Sequence, residues 1–197
     1  MPKPFILFWL LVPLAAAAYH YGPGQDRILA DEAAGHIATA KAHLDAEQFA
    51  QAVAAFDQAI SKMPTDQENA IPRLRLEKAK AQMQSSELPQ AHKNLVSLLD
   101  DLGKDPSTSP ALLAETKSTL ANAQYYMTWL LRLEGHAKEI WEPVIESSRQ
   151  NYLAAAEFAL QAGTPSTENK ARENLEAAIK LARIDLAELQ GLPLPNQ

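Results

Sequence analysis

The sequence predicts an all-α protein. Ala and Leu are strong helix formers, and together they supply 62 of the 197 residues (35 Ala and 27 Leu). Val and Ile, which favour strands, number only 4 and 9. Apolar residues recur at intervals of three and four along most of the chain, which is typical of amphipathic helices. We therefore expect about seven helices joined by short connections.

Charge and composition argue against several functional classes. The chain has 18 Lys and Arg against 24 Asp and Glu, a net charge of −6, whereas nucleic-acid-binding proteins present a basic surface. It has no Cys, so disulfides, thiolate nucleophiles and thiolate metal sites are excluded. Glycine-rich phosphate loops, HExxH and G-x-S-x-G motifs are absent as well. The sequence therefore predicts neither an enzyme nor a cofactor.

Two histidines were considered as metal ligands. His36 and His43 lie seven residues apart on one predicted helix, which is wider than the spacing of four that chelates a metal on a helix. A structural or catalytic zinc site needs at least three protein ligands, and no third ligand accompanies this pair. We expect no metal site.

Residues 1–18 have the composition of a secretory signal. A single lysine precedes an apolar run at residues 5–18, and fourteen residues are fewer than the roughly 20 that a membrane-spanning helix needs. The run ends in Ala16-Ala17-Ala18, which offers an Ala-x-Ala cleavage site before Tyr19. The alternative is that the segment is an uncleaved anchor. In that case it would be the protein's only contact with a membrane. In both cases the remaining chain is predicted to be extracytoplasmic, either periplasmic or secreted.

The first half of the remaining chain predicts two helical hairpins. A glycine- and proline-containing linker at residues 19–25 leads into them, and residues 26–103 contain four helices. Apolar residues spaced three and four apart define the second and fourth helices. The predicted helices span residues 26–45, 48–62, 72–85 and 88–102.

The second half predicts three longer helices. Residues 104–110 form a loop rich in Pro and Ser, and residues 111–190 contain a longer hairpin followed by a capping helix. In that last helix, apolar residues from Leu175 to Leu189 are spaced four, three, four and three apart, a seam for packing on a neighbour. A Pro-rich tail follows at residues 191–197. The predicted helices span residues 110–134, 138–162 and 165–190.

The first two helix pairs are an internal repeat with an offset of 39 residues. The offset places Ala79, Leu88, Ala91, Leu95 and Leu98 on the residues Ala40, Phe49, Ala52, Phe56 and Ala59. This pattern resembles the tetratricopeptide repeat, whose usual period is about 34 residues. The family's small, aromatic, Ala, Phe, Ala and Pro positions are occupied by Ala40, Phe49, Ala52, Phe56, Ala59 and Pro64. The chain departs from the motif at His36, where the family has Trp, and at Gly103, where a second Pro would stand.

The resemblance implies a right-handed α-solenoid of helical hairpins that ends in a capping helix. In this family, ligands lie along the concave groove made by the first helices of each pair. Carried over by position, the residues implied to contact a partner are Lys41, Asp45, Arg73, Lys80 and Gln84. Three of them form a basic strip that suits an acidic segment; the alternative is that they are ordinary solvated charges. The Asn that the family's carboxylate clamp requires on the first helix is missing.

Aromatic residues on the fifth helix are a second candidate contact. Tyr125, Tyr126 and Trp129 fall within two turns of each other, and Tyr and Trp are frequent anchors of binding energy. The alternative, which the sequence favours, is that they fill large gaps in a core otherwise built from Ala and Leu.

The sequence thus predicts an extracytoplasmic scaffold of the tetratricopeptide type that binds a partner protein or peptide in its groove, as an adaptor or assembly factor. The alternative is a structural subunit of a membrane-associated complex, held there by a retained N-terminal anchor. No nucleic-acid partner is expected.

Overall fold

A computed structural model describes residues 11–13, 19 and 23–191 of the protein. Within these residues the chain is helical and contains no strand, which confirms the all-α class. The signal predicted at residues 1–18 lies outside the described residues apart from 11–13, as does the tail beyond residue 191. The helices are α1 (Pro23–Asp45), α2 (Phe49–Ser61), a 3₁₀ helix (Thr65–Ala70), α3 (Ile71–Gln84), α4 (Leu88–Lys104), α5 (Pro110–Leu133), α6 (Lys138–Gln161), α7 (Pro165–Arg183) and α8 (Leu186–Gln190).

In the described part of the chain, each helix falls short of the length or the hydropathy needed to cross a membrane. The chain divides by its contacts into two compact units, residues 1–74 and 75–197, and the division falls inside α3. The two units are therefore described separately.

The core of residues 1–74 lies between α1 and α2, which pack together. Small residues allow the two helices to approach closely: Ala40 and Ala59 are fully buried where they meet. Phe56 fills the space beside them and is 2% exposed. Ala40, Phe56 and Ala59 are three of the residues that match the repeat pattern in the sequence.

Residues 75–197 contain two hydrophobic cores that share α5. The first joins α3 and α4 to one side of α5 and is built mainly from leucines, including Leu76, Leu95 and Leu98. The second joins the other side of α5 to α6, α7 and α8, and contains Trp129 and Trp141. Because α5 supplies residues to both cores, it is the central helix of this unit.

The same backbone turn ends four of the helices. The residue after the C-cap has positive φ at Glu47, Ser86, Gly135 and Gly163. In each case the next N–H donates to the carbonyl five residues earlier, at 2.8–3.0 Å, which is the Schellman arrangement that satisfies the last carbonyls of a helix. The turns after α1, α3 and α5 all reverse the chain into the helix that follows.

Replacing a turn glycine should destabilise the protein for conformational reasons alone. Gly135 has φ of 76°, and no atom lies within 4 Å of a Cβ added there. Gly135→Ala should therefore lower the free energy of unfolding by about 1 kcal/mol, the cost of the left-handed conformation. Gly103 has equally open surroundings but lies within α4, so Gly103→Ala should raise stability by up to about 1 kcal/mol. Urea denaturation measures the free energy of unfolding of both variants. A change of the same sign and size in both would contradict the conformational explanation.

The predicted seventh helix is two helices, which makes eight α-helices in the described residues rather than seven. Helix α7 ends at Arg183, and at this end the buried guanidinium of Arg132, on α5, donates hydrogen bonds to the carbonyls of Leu181 and Ile184. Asp185 then caps α8 by accepting a hydrogen bond from the Glu188 N–H at 2.7 Å. The carbonyls that would continue a helix are thus bound by a side chain from another helix.

Candidate functional site

The candidate site is a pocket of about 350 Å³ in residues 75–197. Its volume lies at the lower end of the range for ligand sites, about 300–1,000 Å³. Three helices line it, and small side chains create the space between them. The lining residues are Ala111, Ala114, Glu115, Ser118 and Asn122 from α5, Ala155 and Phe158 from α6, and Thr167, Lys170, Ala171 and Asn174 from α7.

Helical spacing places the lining residues of each helix on one face. On α5 the lining residues from Ala111 to Asn122, and on α7 those from Thr167 to Asn174, recur after three or four residues, with one adjacent pair in each set, so each set lies on one side of its helix. Helix α6 provides the wall between the other two helices with Ala155 and Phe158. The pocket therefore combines an apolar wall with amide and hydroxyl groups from α5 and α7.

Asn122 is held in position by a buried tyrosine. The Tyr152 hydroxyl donates a hydrogen bond to Asn122 Oδ1 at 2.5 Å, and Tyr152 is 2% exposed. Burial raises the pKa of Tyr152 above its usual range, so the phenol stays protonated and remains a donor. Because the amide oxygen is engaged, the Asn122 Nδ2 protons, which have no acceptor among the described residues, are the groups left for a ligand.

The charges at the pocket are of two kinds. Glu115 is paired with Lys80 of α3, with 2.7 Å between Nζ and Oε1, and the same ammonium lies 3.0 Å from Glu77 Oε1. Lys170 is exposed on α7 and makes no ion pair within the described ranges. The Glu115 carboxylate is thus neutralised by an ion pair within the protein, whereas the Lys170 ammonium is not.

The residues predicted from the sequence to contact a partner lie in different settings. Lys41, Asp45 and Arg73 are exposed in residues 1–74, and Gln84 is exposed at the end of α3. Lys80 is half-buried and bonded to two carboxylates, so its charge is already compensated. Contact of these residues with a partner stays a prediction.

The aromatic residues of α5 divide between surface and interior. Tyr125 and Tyr126 are partly exposed and pack edge to face, with ring centroids 5.7 Å apart. They follow Asn122 by three and four residues, so they lie one turn beyond it on the same side of α5. Trp129 is 6% exposed and packs in the second core, where its indole N–H is buried without an acceptor in the described structure. Trp129 is therefore a core residue, whereas the two tyrosines remain candidates for contact.

Sequence reasoning did not find Asn122, Lys170 and Asn174. None belongs to a motif, and Lys170 and Asn174 follow Asn122 by 48 and 52 residues of sequence. The one local signal was the small residues on the face of α5, at Ala111, Ala114 and Ser118, where a packed helix would normally carry Leu or Ile.

Comparison with known proteins gave no relative. No protein-family model, no curated protein sequence and no solved structure matches the chain. In the part of the chain that the structure describes, no three His, Asp or Glu side chains form a group that would hold a metal ion.

Proposed function

We propose that the protein is a helical-repeat scaffold that binds a segment of a partner protein on the face formed by the first helices of its repeats. The observation that carries the proposal is the recurrence of one turn at equivalent positions. Ser86 follows Glu47 by 39 residues, and both have positive φ. The same offset superposes the two sequence copies, and this coincidence of a backbone turn with a side-chain pattern supports the repeat.

The turn at Gly135 supports a third copy. Seven residues before each turn, a residue at most 1% exposed faces the interior of the pair: Ala40, Ala79 and Thr128. After each turn, buried residues recur with the same spacing of four and three. They are Ala52, Phe56 and Ala59 in α2, Ala91, Leu95 and Leu98 in α4, and Trp141, Ile145 and Ser148 in α6.

Contacts between first helices favour a repeat array in residues 75–197. The ion pair of Lys80 and Glu115 joins α3 to α5, and the pocket lies between α5 and α7. In a solenoid, corresponding helices of successive repeats lie side by side and form a continuous surface. Helix α7, with Arg172, Glu173 and Glu176 exposed, has the polar outer face of a capping helix. These features favour the tetratricopeptide-like architecture that the sequence suggested.

The proposal places the protein outside the cytoplasm and gives it a binding role rather than a catalytic one. The extracytoplasmic location is supported by the apolar run at residues 5–18 with its Ala-x-Ala site. The binding role is supported by a pocket with hydrogen-bonding groups and by a sequence with no catalytic motif.

Site-specific photocrosslinking in the native cell tests the binding surface. A photoreactive residue is placed at Gln84 or Ser118, on first helices, and for comparison at Gln51 or Val96, exposed on second helices. We expect one partner to be crosslinked from Gln84 and Ser118 and not from Gln51 and Val96. Equal crosslinking from both sets, or none from either, would overturn the proposed surface. Crosslinks to integral membrane subunits from every position would instead favour the structural-subunit alternative.

A further inference from the structure

We propose that the pocket between α5, α6 and α7 binds an extended peptide that carries an aliphatic side chain beside a carboxylate. The inference rests on the proposed scaffold function and specifies the ligand of its groove. Three independent features of the pocket support it, namely its size and apolar wall, the free amide groups, and the uncompensated charge.

The size and lining of the pocket suit one aliphatic side chain. Its volume of about 350 Å³ is bounded by alanines of all three helices and by the ring of Phe158. Burial of apolar surface provides roughly 25 cal/mol per Å², so a Leu, Ile or Val side chain gains more there than a polar one. The cavity is too small for a dinucleotide-sized cofactor and large enough for a side chain with its adjoining peptide unit.

The polar groups suit a peptide backbone. Asn122 presents its Nδ2 donors because Tyr152 occupies its oxygen. Asn174, on the facing helix, lines the same pocket and has both a donor and an acceptor available among the described residues. Every residue of an extended peptide offers one N–H and one C=O, so the two amides match a backbone rather than a particular side chain.

The charge favours an acidic neighbour. Lys170 is exposed at the pocket without a partner in the described structure, while Glu115 is bonded to Lys80. Of the two charged residues that line the pocket, Lys170 is therefore the one that the described part of the protein does not pair. A carboxylate next to the aliphatic residue would form a charge-assisted hydrogen bond with the Lys170 ammonium.

The length of the α5 face sets the length of the peptide. From Ala111 to Tyr126 the helix rises about 22 Å at 1.5 Å per residue, which corresponds to about six or seven residues of extended chain. Tyr125 and Tyr126 lie at the far end of this face, where the exposed parts of their two rings, packed edge to face, can contact a further residue.

Selection from a random heptapeptide phage library tests the proposal on the full-length protein. We expect selected peptides to share an aliphatic residue next to Asp or Glu. Ala114→Leu fills the pocket with a larger side chain that is still a good helix former. It should reduce the affinity for a selected synthetic peptide at least tenfold, about 1.4 kcal/mol. Lys170→Glu should reduce the affinity for the same peptide about threefold. The variant should regain affinity for a peptide whose acidic residue is replaced by Lys.

Matched controls separate pocket effects from general ones. Lys93→Glu and Ala54→Leu make the same changes at exposed positions on α4 and α2 and should leave the affinity unchanged. Selection of no peptide, or of peptides indifferent to Ala114→Leu and Lys170→Glu, overturns the pocket assignment. Since the photocrosslinking experiment identifies a partner independently of the peptide, the scaffold proposal can survive that outcome.

Discussion

Leu95→Ala should lower the free energy of unfolding by about 2 to 5 kcal/mol, the range for truncating a buried Leu. Leu95 has no exposed surface and lies at the centre of the core shared by α3, α4 and α5. The cost combines lost apolar burial with the cavity that remains, because neighbours anchored on three helices cannot close the gap completely.

The adjacent residue provides the control for this prediction. Val96 is 45% exposed on the same helix, so Val96→Ala should change stability by no more than about 0.5 kcal/mol. Urea unfolding followed by tryptophan fluorescence makes the comparison. In a Trp9→Phe background the signal comes from Trp129 and Trp141, which belong to the same unit as Leu95. If the two substitutions prove equally costly, the assignment of Leu95 to the core is wrong.

Helices α2 and α4 were predictable because their signals are local. The apolar spacing predicted a helix at residues 48–62, and the structure has one at Phe49–Ser61; for residues 88–102 the structure has Leu88–Lys104. In each helix the apolar residues are spaced three and four apart, and the helix ends near a Pro or Gly. The pattern and its stop signals therefore lie in the same short segment.

The register of the third pair could not be predicted because its buried residues differ in size. Thr128, Trp141 and Ser148 occupy the positions held by alanines or leucine in the earlier pairs. The turn at Gly135 is also followed by α6 three residues later, whereas α2 and α4 begin two residues after their turns. A sequence comparison matches the sizes of residues and their distance from the turn. In α6 both of these differ, although the backbone turn and the four-and-three spacing of the buried residues are the same.

The polar groups of the pocket had no sequence signal because they meet only in the folded chain. Asn122, Lys170 and Asn174 lie on exposed or half-exposed helix faces, where polar residues are expected whether or not they bind a ligand. What distinguishes them is the space that alanines on α5, α6 and α7 leave between them. That space depends on the packing of three helices, and the small residues on α5 are the one part of it that the sequence displays locally.

The break between α7 and α8 leads to the second large prediction. The apolar seam from Leu175 to Leu189 continues across the break, so periodicity alone predicted one helix. At the break, Arg132, which is 7% exposed, donates hydrogen bonds to the carbonyls of Leu181 and Ile184. Its guanidinium also lies over the Trp141 ring, 4.6 Å from the centroid. Burial lowers the pKa of Arg132, and the Asp185 carboxylate raises it.

Arg132→Met should therefore lower the free energy of unfolding by about 2 to 4 kcal/mol. It leaves two buried carbonyls without donors, at about 1 to 3 kcal/mol each before relaxation, and removes a cation–π contact of about 0.5 to 2 kcal/mol. Arg132→Lys should recover part of the loss, because one ammonium cannot reproduce the forked geometry that reaches both carbonyls. The loss should be greatest in hydrogen-exchange protection of α8 and the last turn of α7.

Arg183→Met is the matched control, because Arg183 is an exposed arginine at the end of the same α7. It should cost no more than about 0.5 kcal/mol, since it loses only an exposed charge near the helix C-terminus. A similar cost for Arg132→Met and Arg183→Met would show that the carbonyls find other donors or water. The end of α7 would then depend on its own sequence and not on Arg132. A large difference between them would mean that one side chain from α5 determines where α7 ends and holds α8 against the second core.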